Sequence, residues 1–277
     1  MKVLRYAGFK EEEEFNDKNN TEEVDFHIDI ASGGLDIPAS KNEVVPSGIG
    51  KGARKKMPTF SYPEGAIEYA FDIETIGFFL KMALGGYRYN DSNPIVDTHE
   101  YYGDNSSRPR SFLATLGKDF TEQVFTGCVV DSLELNVNDN TALATVNIVG
   151  AGYDRRNIKS EDELNISDEY PIAFSEVNVY INGRGNSISR KVKNLTLSIS
   201  NNPSTDEGRT VGSLNPTRIV LGDREVSVSL EYFMEDDEEL IRYENDEEFE
   251  LMIEFVKDPI HGALEITIPR AYYDSFP

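Results

Sequence analysis

The side chains able to do chemistry are scattered along this sequence. His27, His99 and His261 stand far apart, and none has a second His, a Cys or a paired carboxylate at the spacing a metal ion requires. The sequence therefore supports no metal centre and asks for no cofactor. Asp236-Asp237-Glu238-Glu239 is dense in oxygen ligands but lacks the alternating positions and the glycine of a calcium loop, and reads as the acidic start of a short helix. Gly48-Ile49-Gly50-Lys51 lacks the first glycine of a phosphate loop, and no Ser or Thr follows Lys51. Cys128 stands beside Val129 and Val130 in an apolar run, the setting of a buried structural thiol. No Gly-x-Ser-x-Gly elbow is present. Nothing assembles a nucleophile, a base and an oxyanion site, and the expectation is a protein that is not an enzyme.

One cluster runs against the rest of the chain. Lys51, Arg54, Lys55 and Lys56 form a basic knot in a polypeptide of 277 residues with 50 acidic and 27 basic side chains, a formal charge of −23. A surface so acidic argues against sequence-independent DNA binding, which needs surplus Lys and Arg, and against docking on anionic membranes. No apolar run approaches the length of a membrane helix, and the first residues, Met1 to Tyr6, contain no apolar stretch of a secretory signal. The best acidic partner for the knot is another copy of this chain. Lys51, Arg54, Lys55 and Lys56 are therefore expected to make subunit contacts.

The elements that position these residues are read from period. Val24, Phe26, Ile28 and Ile30 alternate with Asp25, His27 and Asp29, which predicts a half-buried strand over 22–30 with the polar set outward. Residues 31–63 carry repeated Gly and Pro around the basic knot and predict a long extended arm that forms no helix. A strand over 66–71 is followed by Ile73, Ile76, Leu80, Ala83 and Leu84 at helical spacing, with Asp72 as cap and Gly85-Gly86 as stop. Residues 86–121 read as irregular. Strands are expected over 123–137 and 142–151, joined by a tight connection at Asn138–Thr141. A polar connector over 154–169 precedes strands over 173–181, 188–200, 218–233, 249–256 and 264–268, with a short acidic helix over 235–243. The fold class is mainly β, a sandwich or barrel with one or two flanking helices. The chain reads as one unit, or as two similarly ordered halves, 1–153 and 170–277.

Several of these segments carry a resemblance. The run from Gly65 to Gly86 (GAIEYAFDIETIGFFLKMALGG) resembles the strand-then-helix element of tailed-phage tail tube (major tail) proteins, preceded as in that family by a Gly- and Lys/Arg-bearing arm. Phe125–Val137 (FTGCVVDSLELNV) with Ala142–Gly152 (ALATVNIVGAG) is similar to the family's central hairpin. Phe174–Gly183, Val192–Asn202, Arg224–Leu230 and Leu264–Arg270 follow in the family's order. The acidic first 30 residues and the insert at 87–118 depart from the pattern.

The resemblance implies a virion structural protein of a β-sandwich or barrel type, made in the host cytoplasm, whose rings stack into the tube through which DNA leaves the capsid. It implies self-association, hexameric or pseudo-sixfold trimeric, and the tape measure, tail terminator and baseplate proteins as partners. DNA passes without specific binding, and no membrane is involved. Residues whose polar face would line the lumen are Asp25, Asp29 and Glu68, with the neutral Asn194, Thr196 and Ser198; such a wall repels phosphate. The competing reading is a β-sandwich ligand- or carbohydrate-binding module, for which the chain offers 14 Tyr but no Trp.

Overall fold

The computed structural model describes residues 5–19, 21–36, 42–44, 55–57, 59–90, 97–104, 106, 108–138, 141–235, 237–258 and 262–275; residues 42–44 and 55–57 are described by backbone alone. The first half holds β1 (Arg5–Glu11), β2 (Phe26–Asp29), β3 (Ser32–Leu35), β4 (Asn42–Val44), β5 (Lys55–Met57), β6 (Glu64–Ala70), α1 (Ile73–Leu84), β7 (Gly85–Asn90), β8 (Thr98–Gly103), β9 (Phe112–Lys118), β10 (Thr121–Val137), β11 (Ala142–Val149) and β12 (Gly152–Asn157). The second half holds β13 (Val177–Ile181), β14 (Val192–Ser200), β15 (Glu225–Tyr232), α2 (Glu238–Glu244), β16 (Phe249–Asp258) and β17 (Gly262–Ala271). The protein is mainly β, and the pairings between its described strands are antiparallel.

The 17-residue β10 organises the main sheet. Its first part pairs with β9 and β12, and its second part with β11 and β14. Between them the register shifts from Phe125 to Cys128 against β9 and from Val130 to Ser132 against β11, and Gly127 takes φ 62°. Two irregularities and a left-handed glycine bend one strand from one sheet segment into the next. One segment runs β2-β1-β9-β10-β12; the other runs β3-β6-β11-β10-β14-β15. A smaller sheet, β13-β16-β17, and two hairpins, β4-β5 and β7-β8, complete the described strands.

Helix α1 forms where its cap and spacing require. The Asp72 carboxylate accepts from the Thr75 N–H (2.8 Å) and the Thr75 hydroxyl (3.0 Å), and Gly85 ends the helix at φ 82°. Ile76, Phe79, Leu80, Met82 and Ala83 are buried against the apolar side of the main sheet, where Ile67, Leu133, Leu135, Val146, Leu195 and Leu197 meet them in one core. The small sheet adds Val179, Ile181, Leu251, Ile253 and Phe255, with Phe255 edge-on to Phe71 at 5.6 Å. Asn201 fastens the helix end, donating to the Ala83 and Val130 carbonyls.

Four expectations are corrected. Residues 86–121 are not irregular: β7, β8 and β9 lie there, and β9 was hidden because Phe112–Gly117 is buried on both faces and shows no alternation. The polar connector begins later than expected, since residues 154–157 belong to β12 and pair with β10. Ser32–Leu35, assigned to the arm, is a strand of the main sheet. His27 does not face outward with Asp29; it is 2% exposed, because β1 and the segment around Asn165 cover that side of β2.

Candidate functional site: a polar sheet face and two free edges

Partners in antiparallel register share a face, so rows of side chains can be followed across the second segment of the main sheet. One row runs Ser32 (β3), Glu68 (β6), Thr145 (β11), Glu134 (β10), Ser198 (β14) and Ser227 (β15). The next runs Gly34, Ala66, Asn147, Ser132, Ser200 and Glu225. On the other side of the first lie Ala70, Leu143, Asn136, Thr196 and Ser229. Asn194 faces Glu231 near one end, and Glu64 faces Val149 near the other.

Among the described residues nothing covers this face, its side chains half-buried by one another or exposed, whereas the alternate residues of β10, β11 and β14 are buried in the core. Its polar groups are hydroxyls, amides and the carboxylates of Glu64, Glu68, Glu134, Glu225 and Glu231, and no Lys or Arg occupies a described register position on it. The polar groups tie to one another across the strands. The Ser32 hydroxyl donates to Glu68 (2.7 Å), the Asn147 amide to Ser132 (2.8 Å) and the Asn194 amide to Glu231 (2.6 Å). Lys193, at the bulge of β14, reaches Glu231 from the margin at 3.4 Å. Such a surface can repel phosphate and offers it few cations.

The segment ends on strands with one free side. Among the described strands β15 pairs only with β14, and β3 only with β6. Each leaves backbone N–H and C=O groups directed outward, a template for another strand. On the apolar side of β15, Val226 is 48% exposed while Val228 and Leu230 pack on the core.

The expected lumen residues divide. Glu68, Asn194, Thr196 and Ser198 come together on this face. Asp25 and Asp29 do not: Asp29 is exposed on β2 and Asp25 just precedes it, in the other segment of the sheet. Of the basic knot, Lys51 and Arg54 lie outside the described residues, and Lys55 and Lys56 are on β5, opposite Val44 and Glu43 of β4. Sequence reasoning missed Ser32, Ser132, Glu134, Thr145, Asn147, Glu225, Ser227 and Glu231. The same period of two that marks Leu133, Leu135 and Val137 as inward marks Ser132, Glu134 and Asn136 as outward, so β10 carried a usable signal.

Two comparisons bear on this surface. A family model described as "Phage tail tube protein" matches residues 4–275. No curated protein matches the chain.

Proposed function

The chain belongs to the phage tail tube protein family, and from that premise we propose that it closes into rings through the free edges of β15 and β3, with the polar face turned to the lumen. The family gives it a structural role in the virion tail, as a protein that assembles into a tube. The single observation carrying the finer reading is the continuous face from Ser32 to Ser227, rich in Glu and hydroxyls and left uncovered by the described residues. Joining β15 of one copy to β3 of the next extends these rows around a closed wall and removes both edges. A head-to-tail contact that closes gives a ring, and stacked rings give a tube. DNA then leaves the capsid through a channel that repels its phosphates and holds it by no specific contact.

The chain acts as one tube unit in this reading, six copies to a ring. Support comes from β14, of the second half, pairing directly with β10, of the first, so that both halves share one sheet. A two-unit chain would instead make a pseudo-sixfold trimer. Asp25 and Asp29 are proposed to lie outside the lumen. Stacking is assigned to the β4-β5 arm and its Lys51, Arg54, Lys55 and Lys56, which meet acidic surface on the neighbouring ring. Tape measure, tail terminator and baseplate proteins complete the tail around it.

Electron microscopy of purified assemblies tests the reading: top views are expected to show sixfold rings, and side views a stacked tube. Only monomers at high concentration would refute it, and a threefold class average would refute the single-unit assignment. Changing Lys51, Arg54, Lys55 and Lys56 together to Glu is expected to stop stacking while rings still form. Normal tubes from that variant would remove the arm from the stacking contact.

A further inference from the structure

Away from the polar face, one buried group has its hydrogen bonds arranged so that only one protonation state fits. His27, on β2, lies under the segment 158–169, which crosses the strand as a strap. The His27 backbone N–H donates to the Asn165 carbonyl (2.6 Å), and the Asn165 backbone N–H donates back to the ring Nδ1 of His27 (2.9 Å). The Asn165 side-chain amide donates to the Asp25 carbonyl (2.8 Å), and Ile166 forms a parallel bridge with His27. Farther along, the Ser167 hydroxyl donates to Glu74 at the start of α1, and near the strap's beginning the Lys159 N–H donates to the Tyr6 hydroxyl. The strap thus ties β1, β2 and α1 together, with His27 at its centre.

A backbone N–H can only donate, so Nδ1 must carry its lone pair and the ring proton must sit on Nε2. An imidazolium has N–H groups at both nitrogens. Its Nδ1–H would point at the Asn165 N–H, donor against donor, in a place 2% exposed where water cannot intervene. We propose that His27 is a proton-sensitive latch: protonation at Nδ1 breaks the bond to Asn165 and releases the strap 158–169 from β2.

Charged and aromatic groups from three other elements surround the ring. Tyr6 of β1 packs edge-on to it at 5.5 Å and its hydroxyl donates to Glu122 of β10 (3.1 Å), while Arg156 of β12 is bonded to the same carboxylate. Lys159 stands on the strap itself. Burial pushes the His27 ring below the usual histidine value, with Lys159 and Arg156 adding to this; Glu122 and the Asn165 backbone oppose it and are outweighed. The buried Nε2 has no hydrogen-bond acceptor among the described residues. Asp29, on its own strand, and Asp25, just before it, are exposed.

The sign follows from linkage. The released state has the ordinary histidine value, about 6.5, and binds the proton more tightly than the latched state. Release is therefore favoured as the pH falls below about 6.5, by up to about tenfold per pH unit for one proton. Hydrogen exchange on the full chain, corrected for the intrinsic pH dependence, reads this directly. Protection of amides 158–169 is expected to fall by up to about 25-fold between about pH 7 and about pH 5, the range in which histidine titrates. In His27→Asn, whose side-chain oxygen can accept from Asn165 but does not titrate, protection is expected to stay level. Level protection in the wild type, or an equal acid loss in His27→Asn, overturns the proposal. A ring titration of His27 by NMR in the wild-type chain is independent of whether that variant folds: a value below about 6.5 supports the latch, and one at or above it overturns it.

Discussion

Converting Glu68 and Glu134 together to Lys tests whether the polar face lines the channel. The two flank Thr145 on one row, β6 and β10 being the neighbours of β11 on either side, so they stand two strand spacings, about 10 Å, apart. At that distance in water their mutual repulsion is about 0.4 kcal/mol before screening, and about 0.2 kcal/mol in about 0.1 M salt. Loss of the Ser32 bond to Glu68 adds about 1 kcal/mol at most. Folding and assembly are thus expected to survive. The charge of the face changes far more: the five carboxylates of Glu64, Glu68, Glu134, Glu225 and Glu231 give −5 per chain, and the double substitution makes it −5 + 4 = −1. If both lysines contact phosphates, binding acquires a slope in log salt of about −1.8 per engaged chain, about twelvefold weaker on a fourfold rise in salt. The assay is the amount of duplex DNA that purified tubes protect from nuclease at about 0.05 M and about 0.2 M salt. Wild-type tubes should protect none. Double-variant tubes should protect DNA at the lower salt and shed it at the higher. Asp25→Lys with Asp29→Lys, on the other sheet segment, should behave as wild type. Salt-sensitive protection by wild-type tubes, or no gain in the double variant, would show that this face does not line the lumen.

Two further predictions concern the scaffold beneath that face. Phe79, fully buried on α1, stands edge-on to Phe9 at 4.9 Å and near Tyr69 at 5.6 Å; Phe79→Ala should lose about 3–5 kcal/mol, read by urea unfolding at matched chain concentration. A loss under about 1 kcal/mol would mean the helix is not the support of the sheet. A Cβ on Gly117 would lie 2.1 Å from the Tyr6 ring, which its bonds to Glu122 and Lys159 hold in place, so Gly117→Ala should lose about 1–3 kcal/mol. Gly185→Ala, with nothing within 4 Å of the added carbon, should change stability by no more than about 0.5 kcal/mol; equal effects at the two sites would refute the packing argument.

The sequence alone determined the features whose causes are local. Helix α1 is legible from Asp72, the spacing of Ile76, Leu80 and Ala83, and Gly85, because a cap, a period and a stop act within a few residues. The β10-β11 hairpin and the alternating β14 are legible for the same reason, and with them the outward place of Asn194, Thr196 and Ser198. Only the tertiary structure decided what covers each strand. Alternation in β2 marks His27 and Asp29 as equivalent, yet the strap at Asn165 buries one and leaves the other exposed. Asp25, Asp29 and Glu68 look alike as strand carboxylates, and they separate because β10 bends at Gly127 and carries β2 and β6 into different segments. β9 shows no alternation because both its faces are buried, and β1 lies in its shadow as its pairing partner. Period is a property of the chain, whereas the choice between core and surface belongs to the neighbours that folding brings from far along the sequence.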